Sequence, residues 1–188
     1  NRQLVTNAIV RILDEDPSIN IMAVCGGLQG VAYSRGVDVT RVSNILKSDQ
    51  SVASHSISMP DPHDEVAHLH RLRVAPDSRL AEIIGQYSSS DGNGWLSFYF
   101  PDAHGGVVDN NRENIAKLES FGYKVIGFSD DGIIEAIQDK RGNFYFQDHP
   151  EAMAMNGDSV KFDDAHQKER ELSIKAAKAI MNDFLYRN

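Results

Sequence analysis

The chain has 188 residues, of which 41% are hydrophobic and 24% charged, proportions typical of one soluble globular domain with a buried core. Its net charge of -8 argues against a nucleic-acid partner, which is recognised through clustered Lys and Arg. No apolar run approaches the roughly 20 residues that a membrane-spanning helix needs. One cysteine cannot form an internal disulfide, so a reducing, cytoplasmic setting is the simplest prediction.

The first third of the chain predicts a helix, a strand, a turn and a second helix. Residues 2–15 carry apolar side chains at helical spacing, namely Val5, Ala8, Ile9 and Ile12. Pro17 ends this helix. Residues 19–24 are nearly all apolar, which is typical of a short strand covered on both faces. The second helix is predicted to begin at Gly26.

The rest of the chain predicts strands and helices separated by loops. Residues 37–66 are polar and read as mostly loop. Strands are predicted at residues 68–75, 95–100, 123–128, 133–138 and 143–147. Helices are predicted at residues 77–84, with Asp77 or Ser78 as N-cap, and at 167–186. Glycine-containing turns at residues 130–132 and 140–142 separate the last three strands.

Cys25 directly follows the apolar run 19–24 and precedes two glycines. A sharp turn from strand into helix would expose its thiol and direct the N–H of Gly26 at a developing oxyanion. A helix N-terminus also lowers the pKa of a thiol in general. The alternative is that Cys25 is a small core residue beside a turn, as an isolated cysteine often is.

His149 and Glu151 stand two residues apart, just past the predicted strand 143–147. A thiol nucleophile needs a base, and the base needs an orienting carboxylate, so these two residues can supply both. The alternative is a surface His-Pro-Glu turn. Because Cys25 and His149 each follow a predicted strand, where active residues of α/β folds gather, the catalytic interpretation is favoured.

These motifs resemble the class I glutamine amidotransferase-like proteins, and within them the peptidase C26 group, the γ-glutamyl hydrolases. That group carries Ala/Gly-x-Cys-x-Gly-x-Gln, matched here by Cys25, Gly27 and Gln29. It also carries a distant Gln-x-His-Pro-Glu, matched by residues 147–151. The stretches HRLRVAPDSRL and DDGIIEAIQ resemble two further segments of the group. The resemblance covers about residues 2–155.

The resemblance implies one α/β domain over residues 1–188, a three-layer flavodoxin-like sandwich with a mostly parallel sheet. It implies hydrolysis of a γ-glutamyl amide of a small substrate through a thioester. Cys25 is the expected nucleophile, His149 the base and Glu151 the carboxylate that holds the imidazole. The expected oxyanion and substrate-binding residues are Gly26, Gln29 and His104. No metal and no organic cofactor is required.

Two departures from the group leave alternatives open. After residues 95–100 the chain reads PDAHGGV where the group has Asn-Ser-x-His-x-Gln, so only His104 is retained and the substrate is open. The group also begins with a strand and a glycine loop that complete the oxyanion hole. We expect this chain to be N-terminally incomplete, with a missing segment or another chain completing the sheet. One alternative is a glutaminase domain that supplies ammonia to a synthase. Another is a non-catalytic binding protein. The oligomeric state is not predicted, and an oligomer is possible.

Three neighbouring histidines are candidate metal ligands. His63, His68 and His70 lie close in sequence, and a His-x-His pair can chelate a metal. No matching ligand group accompanies them, and the family strand accounts for His70, so no metal site is predicted. Glu135 is interpreted as a structural strand carboxylate, and the sequence reveals no partner for His55 or His166.

Overall fold

The computed structural model of the protein describes residues 1–47, 55, 69–88, 90–157 and 167–187. The helices are α1 (Arg2–Glu15), α2 (Gly26–Ser34), α3 (Val42–Ile45), α4 (Arg79–Ile84), α5 (Arg112–Ser120), α6 (Pro150–Asn156) and α7 (Gln167–Tyr186). The strands are β1 (Met22–Val24), β2 (Val39–Arg41), β3 (Leu69–Val74), β4 (Leu96–Pro101), β5 (Gly106–Val108), β6 (Tyr123–Phe128), β7 (Ile134–Asp139) and β8 (Phe144–Phe146). Among the described helices, none has the length and apolar character needed to span a membrane.

Six strands form one sheet in the order β1-β8-β7-β6-β3-β4, and β2 pairs with β5 in a second, two-stranded sheet. In the larger sheet only β1 and β8 run parallel, and the other four pairings are antiparallel. The predicted α/β sandwich is confirmed, but the predicted mostly parallel sheet is corrected to a mostly antiparallel one. The reason is that short turns at residues 129–133 and 140–143 join neighbouring strands, whereas a parallel pair needs a long crossover.

Helices cover both faces of the six-stranded sheet, which gives three layers. Phe144 and Phe146 pack on one face in a core with residues of α4, α6 and α7. Tyr145 packs on the other face in a core with residues of α1, α2 and α5. Successive side chains of a strand point to opposite faces, so a strand covered on both sides is apolar throughout, as β8 is.

Strand β1 lies at an edge of the larger sheet, and among the described residues only β8 pairs with it. Helix α1, which packs against α2, buries Val10 and Leu13. The apolar stripe read from the sequence of α1 does not face the described core, since Val5 is 60% exposed and Ile12 49% exposed. This end of the sheet therefore presents both an unpaired strand edge and an apolar helix face.

Most predicted elements have a counterpart in the structure. The helices predicted at residues 2–15 and 167–186 have those bounds, and the Ser78 side chain caps α4 by accepting from the N–H of Ala81. The predicted loop 37–66 contains β2 and α3, and most of the remainder lies outside the described residues. Strand β5 and helices α5 and α6 are not among the elements predicted from the sequence.

Candidate active site

Cys25 occupies the sharp turn between β1 and α2. Its φ of 51° is the only positive φ of a non-glycine residue in the described part of the chain. Such a conformation costs on the order of 1–3 kcal/mol and persists only where the surrounding structure imposes it. Here the Cys25 N–H donates to the Phe146 carbonyl at 2.7 Å, and the Cys25 carbonyl accepts the N–H of Gln29 at 3.2 Å. The backbone is held on both sides, and the residue is partly exposed.

The residues after Cys25 are small because α2 lies close to its neighbours. A Cβ at Gly27 would lie 3.1 Å from the Ala23 Cβ, and a Cβ at Gly30 would lie 2.9 Å from the Thr6 side chain on α1. Gly26 abuts the guanidinium group of Arg2. The first N–H groups of any α-helix lack an acceptor within the helix, so those of α2 are available to an anion beside Cys25.

His149 lies just past the end of β8, at the N-cap of α6. Its backbone N–H donates to the Pro101 carbonyl at 2.9 Å, and its ring Nδ1 lies 2.7 Å from Glu151 Oε1. The side chain of Cys25 lies within hydrogen-bonding reach of the same imidazole. The interaction with Cys25 first, and the bond with Glu151 second, raise the pKa of His149 to about 10, so the ring keeps its proton at neutral pH.

The pairing of β1 with β8 brings these residues together. The two strands are parallel, with Val24 opposite Phe146, so both carboxyl ends lie at the same edge of the sheet. Cys25 follows one strand end, and His149 follows the other by two residues. The sequence-predicted nucleophile, base and carboxylate therefore occupy one site, and their catalytic roles stay predictions.

Gln29 links three elements around this site. Its Nε2 lies 2.6 Å from the Gly106 carbonyl of β5 and 3.1 Å from Gln147 Oε1 at the end of β8. An amide nitrogen has two hydrogens, and both are used in these bonds. The side chain therefore positions α2 against β5 and β8, while its predicted contact with substrate stays a prediction.

The Gln29→Met variant is expected to lower the free energy of unfolding by about 1–3 kcal/mol, because the Gly106 carbonyl and Gln147 Oε1 each lose a hydrogen bond. The measurement is urea unfolding followed by circular dichroism. Gln86→Met is the matched control, since Gln86 is exposed in the 3-10 turn after α4 and should change stability by less than about 0.5 kcal/mol. Equal losses in the two variants would contradict the positioning role.

His104 is buried rather than open to solvent, with a side chain that is 1% exposed. Its Nδ1 lies 3.0 Å from the Gly106 carbonyl, and its Nε2 lies 2.8 Å from Asp102 Oδ1. Its predicted role in substrate binding stays a prediction. His70 lies near the same carboxylate, 3.8 Å from Asp102 Oδ2, whereas His63, His68 and His166 lie outside the described residues.

Sequence reasoning missed the buried acidic and histidine group around His104. His55 has a 0% exposed side chain and lies 2.6 Å from Asp102 Oδ2, although the sequence reveals no partner for it. Burial, reinforced by nearby Asp102, raises the pKa of Glu135 and of Asp148 well above the usual carboxyl range. Of the residues in this group, only His104 stands in a motif that the sequence singles out. Its partners come from separate segments of the chain, so no short pattern indicates them.

A pocket of about 420 Å³ opens between α1 and α2 next to the Cys25 turn. Its walls include Arg2, Gly26, Gln29 and Tyr33. The guanidinium of Arg2 gives this pocket a positive charge beside the backbone of Gly26. The arrangement can hold an anionic group beside the Gly26 backbone.

Comparison with known proteins gives matches in structure. No family model matches the chain, and no curated protein is similar enough to count as a relative. A glutamine amidotransferase from Thermotoga maritima is 11% identical with a TM-score of 0.56, and the match covers 96% of this chain and 68% of that one. A glutamine amido transferase from Methylobacillus flagellatus is 15% identical with a TM-score of 0.53, with the same coverage of 96% and 68%.

The chain has the glutamine amidotransferase fold. This confirms the resemblance to the class I glutamine amidotransferase-like proteins at the level of the fold. The chain spans about two thirds of the length of the solved structures that it matches. At these identities the likeness concerns the fold alone, so the peptidase C26 assignment and the activity are treated below as proposals.

Proposed function

We propose that the protein hydrolyses the amide bond of a γ-glutamyl compound through a thioester on Cys25. The single observation that carries this proposal is the contact of His149 with both Cys25 and Glu151. The names of the two structural neighbours, glutamine amidotransferases, support hydrolysis of the glutamine amide in general. The resemblance to γ-glutamyl hydrolases supports the finer proposal that the amide carries a larger amine.

The first half of the reaction forms the thioester. His149, whose raised pKa lets it hold the thiol proton, takes that proton before the attack, so Cys25 Sγ adds to the carbonyl carbon as a thiolate and the carbonyl oxygen becomes an oxyanion. The N–H of Gly26 at the start of α2 stabilises that oxyanion. The imidazolium of His149 then gives its proton to the amine as the C–N bond breaks, which releases the neutral amine.

The second half of the reaction regenerates the thiol. Water attacks the thioester carbonyl, and His149 takes a proton from that water as its oxygen bonds to carbon. The C–S bond breaks, the sulfur recovers a proton from His149, and a glutamate carboxyl group is released. Glu151 holds the imidazole through Nδ1 in both halves.

We also propose that a further strand, from another segment or another chain, pairs with the free edge of β1. Among the described residues only β8 pairs with β1, and this open edge and the exposed apolar face of α1 both favour such a partner. The loop at its end would give a second oxyanion donor, whose loss typically lowers the rate about 10²–10³-fold. Expression of residues 1–188 alone should give an associating or weakly active product, whereas a monomeric and fully active one would contradict this.

The proposed function is tested by glutamate release from the full-length gene product. Glutamine is compared with γ-glutamyl amides of larger amines, and the Cys25→Ala variant is the control. Faster release from the larger amides supports the hydrolase. Release from glutamine alone indicates the ammonia-supplying alternative, and no release from any of these amides overturns the proposal.

A further inference from the structure

Four buried side chains converge beneath the loop that follows β4. They are His55, Asp102, His104 and Glu135, and none is more than 4% exposed. One nitrogen or oxygen atom from each lies within 4.8 Å of the corresponding atoms of the other three. The group includes two imidazoles and two carboxylates, a donor set of the kind that binds transition metals.

His55 and His104 each have one ring nitrogen that faces away from the cluster, the outer nitrogen, and one that faces into it, the inner nitrogen. The hydrogen bond on the outer nitrogen orients the ring and therefore the inner nitrogen. His104 Nδ1 lies 3.0 Å from the Gly106 carbonyl, which can only accept, so Nδ1 carries a proton, and in the neutral imidazole Nε2 then presents a lone pair. His55 Nε2 lies 3.0 Å from Asp131 Oδ2 and is the outer nitrogen of this ring. Its inner nitrogen, Nδ1, is the one that can bind a metal. The Ser129 hydroxyl in turn donates to Asp131 Oδ1 at 2.5 Å. Metal-bound histidines are held by such a carbonyl or carboxylate on the outer nitrogen.

The inner atoms of the four side chains face one another at short distances. Asp102 carboxylate oxygens lie 2.6 Å from His55 Nδ1 and 2.8 Å from His104 Nε2. Glu135 Oε1 lies 3.8 Å from the first nitrogen and 3.9 Å from the second. Although His104 Nε2 and Asp102 Oδ1 lie 2.8 Å apart, neither has a hydrogen-bond partner among the described residues, and both buried Glu135 oxygens also lack one. Such a cluster of lone pairs is costly unless positive charge lies among them.

We propose that His55, Asp102, His104 and Glu135 bind one divalent transition-metal ion, with Zn²⁺ the best match. Zinc takes imidazole nitrogen and carboxylate oxygen at about 2.0–2.2 Å in a tetrahedral set, which places its ligand atoms roughly 3.4 Å apart. The distances above bracket that spacing. Mg²⁺ and Ca²⁺ match less well, since both prefer oxygen ligands alone.

The ion would stabilise the structure rather than take part in the thiol chemistry. A closed set of four protein ligands is typical of structural zinc sites. It would join residue 55, the loop after β4 and strand β7. The same loop region supports the candidate active site, because the Pro101 carbonyl accepts the N–H of His149. Metal binding is therefore expected to raise thermal stability independently of Cys25.

The test is metal retention in the Cys25→Ala protein, in which the thiol cannot act as a competing ligand. After incubation with Zn²⁺ and dialysis, elemental analysis should find one zinc per chain. Glu135→Gln in the same background should lose this zinc, while Glu82→Gln, an equal charge change at an exposed site on α4, should retain it. Visible absorption of the Co²⁺-loaded protein should show the intense bands of four-coordinate cobalt.

Two further measurements keep the test decisive if Glu135→Gln fails to fold. Asp131→Asn should bind zinc about 10–100-fold more weakly, because it weakens the outer hydrogen bond of His55. Zn²⁺ should also raise the melting temperature of the Cys25→Ala protein. The proposal would be overturned if the Cys25→Ala protein held no zinc, or if Asp131→Asn did not weaken zinc binding. Protons alone would then offset the negative charge of the buried carboxylates.

Discussion

Cys25→Ala is expected to reduce the rate of γ-glutamyl amide hydrolysis by about 10⁴-fold or more, because no other group replaces the nucleophile. The fold should persist, since Cys25 lies on a turn and its backbone bonds to Phe146 and Gln29 do not involve the thiol. The measurement is steady-state glutamate release together with circular dichroism of the variant. An alanine variant that keeps wild-type activity would eliminate Cys25 as the nucleophile.

Cys25→Gly gives a control that separates the turn from the chemistry. Glycine adopts a φ of 51° without strain, so this variant should be more stable to unfolding by about 1 kcal/mol than Cys25→Ala, and equally inactive. The comparison is made by urea unfolding. A glycine variant less stable than the alanine variant would mean that the turn is not strained.

His149→Asn is expected to lower the hydrolysis rate by about 10²–10⁴-fold, the usual contribution of a general acid-base group. Asparagine can keep a hydrogen bond to Glu151 but cannot carry the proton between thiol and amine. The measurement is the rate of glutamate release at several pH values. A loss smaller than tenfold would mean that another group transfers the proton.

The raised pKa of His149 also predicts a pH dependence with a definite sign. The pKa is about 10 in the folded protein against an ordinary value near 6.5. The resulting stabilisation is fully present below about pH 6.5 and is lost as the pH rises through 10. Glu151→Gln should move the pKa measured by NMR toward 6.5, whereas Glu113→Gln, in the first turn of α5, should leave it unchanged.

Much of the fold is predictable from local sequence patterns. The bounds of α1 and α7 follow from apolar period and from Pro17, and the Ser78 cap follows from its residue type. The sheet direction was available from the turns at residues 129–133 and 140–143, which are too short for crossovers. The prediction of a mostly parallel sheet rests on the family resemblance and not on these turns.

The candidate site divides into a local part and a long-range part. Cys25, His149 and Glu151 stand in short motifs at strand ends, so their approach follows from the pairing of β1 with β8. The contacts of His55 and Glu135 follow instead from tertiary packing of separate segments, which no short pattern records. The exposed stripe of α1 has the same cause, since a helical period gives the apolar face and not what covers it.

The most direct test of the account is mass spectrometry of a rapidly quenched reaction. The protein is mixed with an excess of a γ-glutamyl amide, quenched with acid during turnover and digested for peptide mapping. One added glutamyl group is expected on the peptide that contains Cys25, and none in Cys25→Ala. Turnover without an acylated protein, or a glutamyl group attached to another residue, would contradict it.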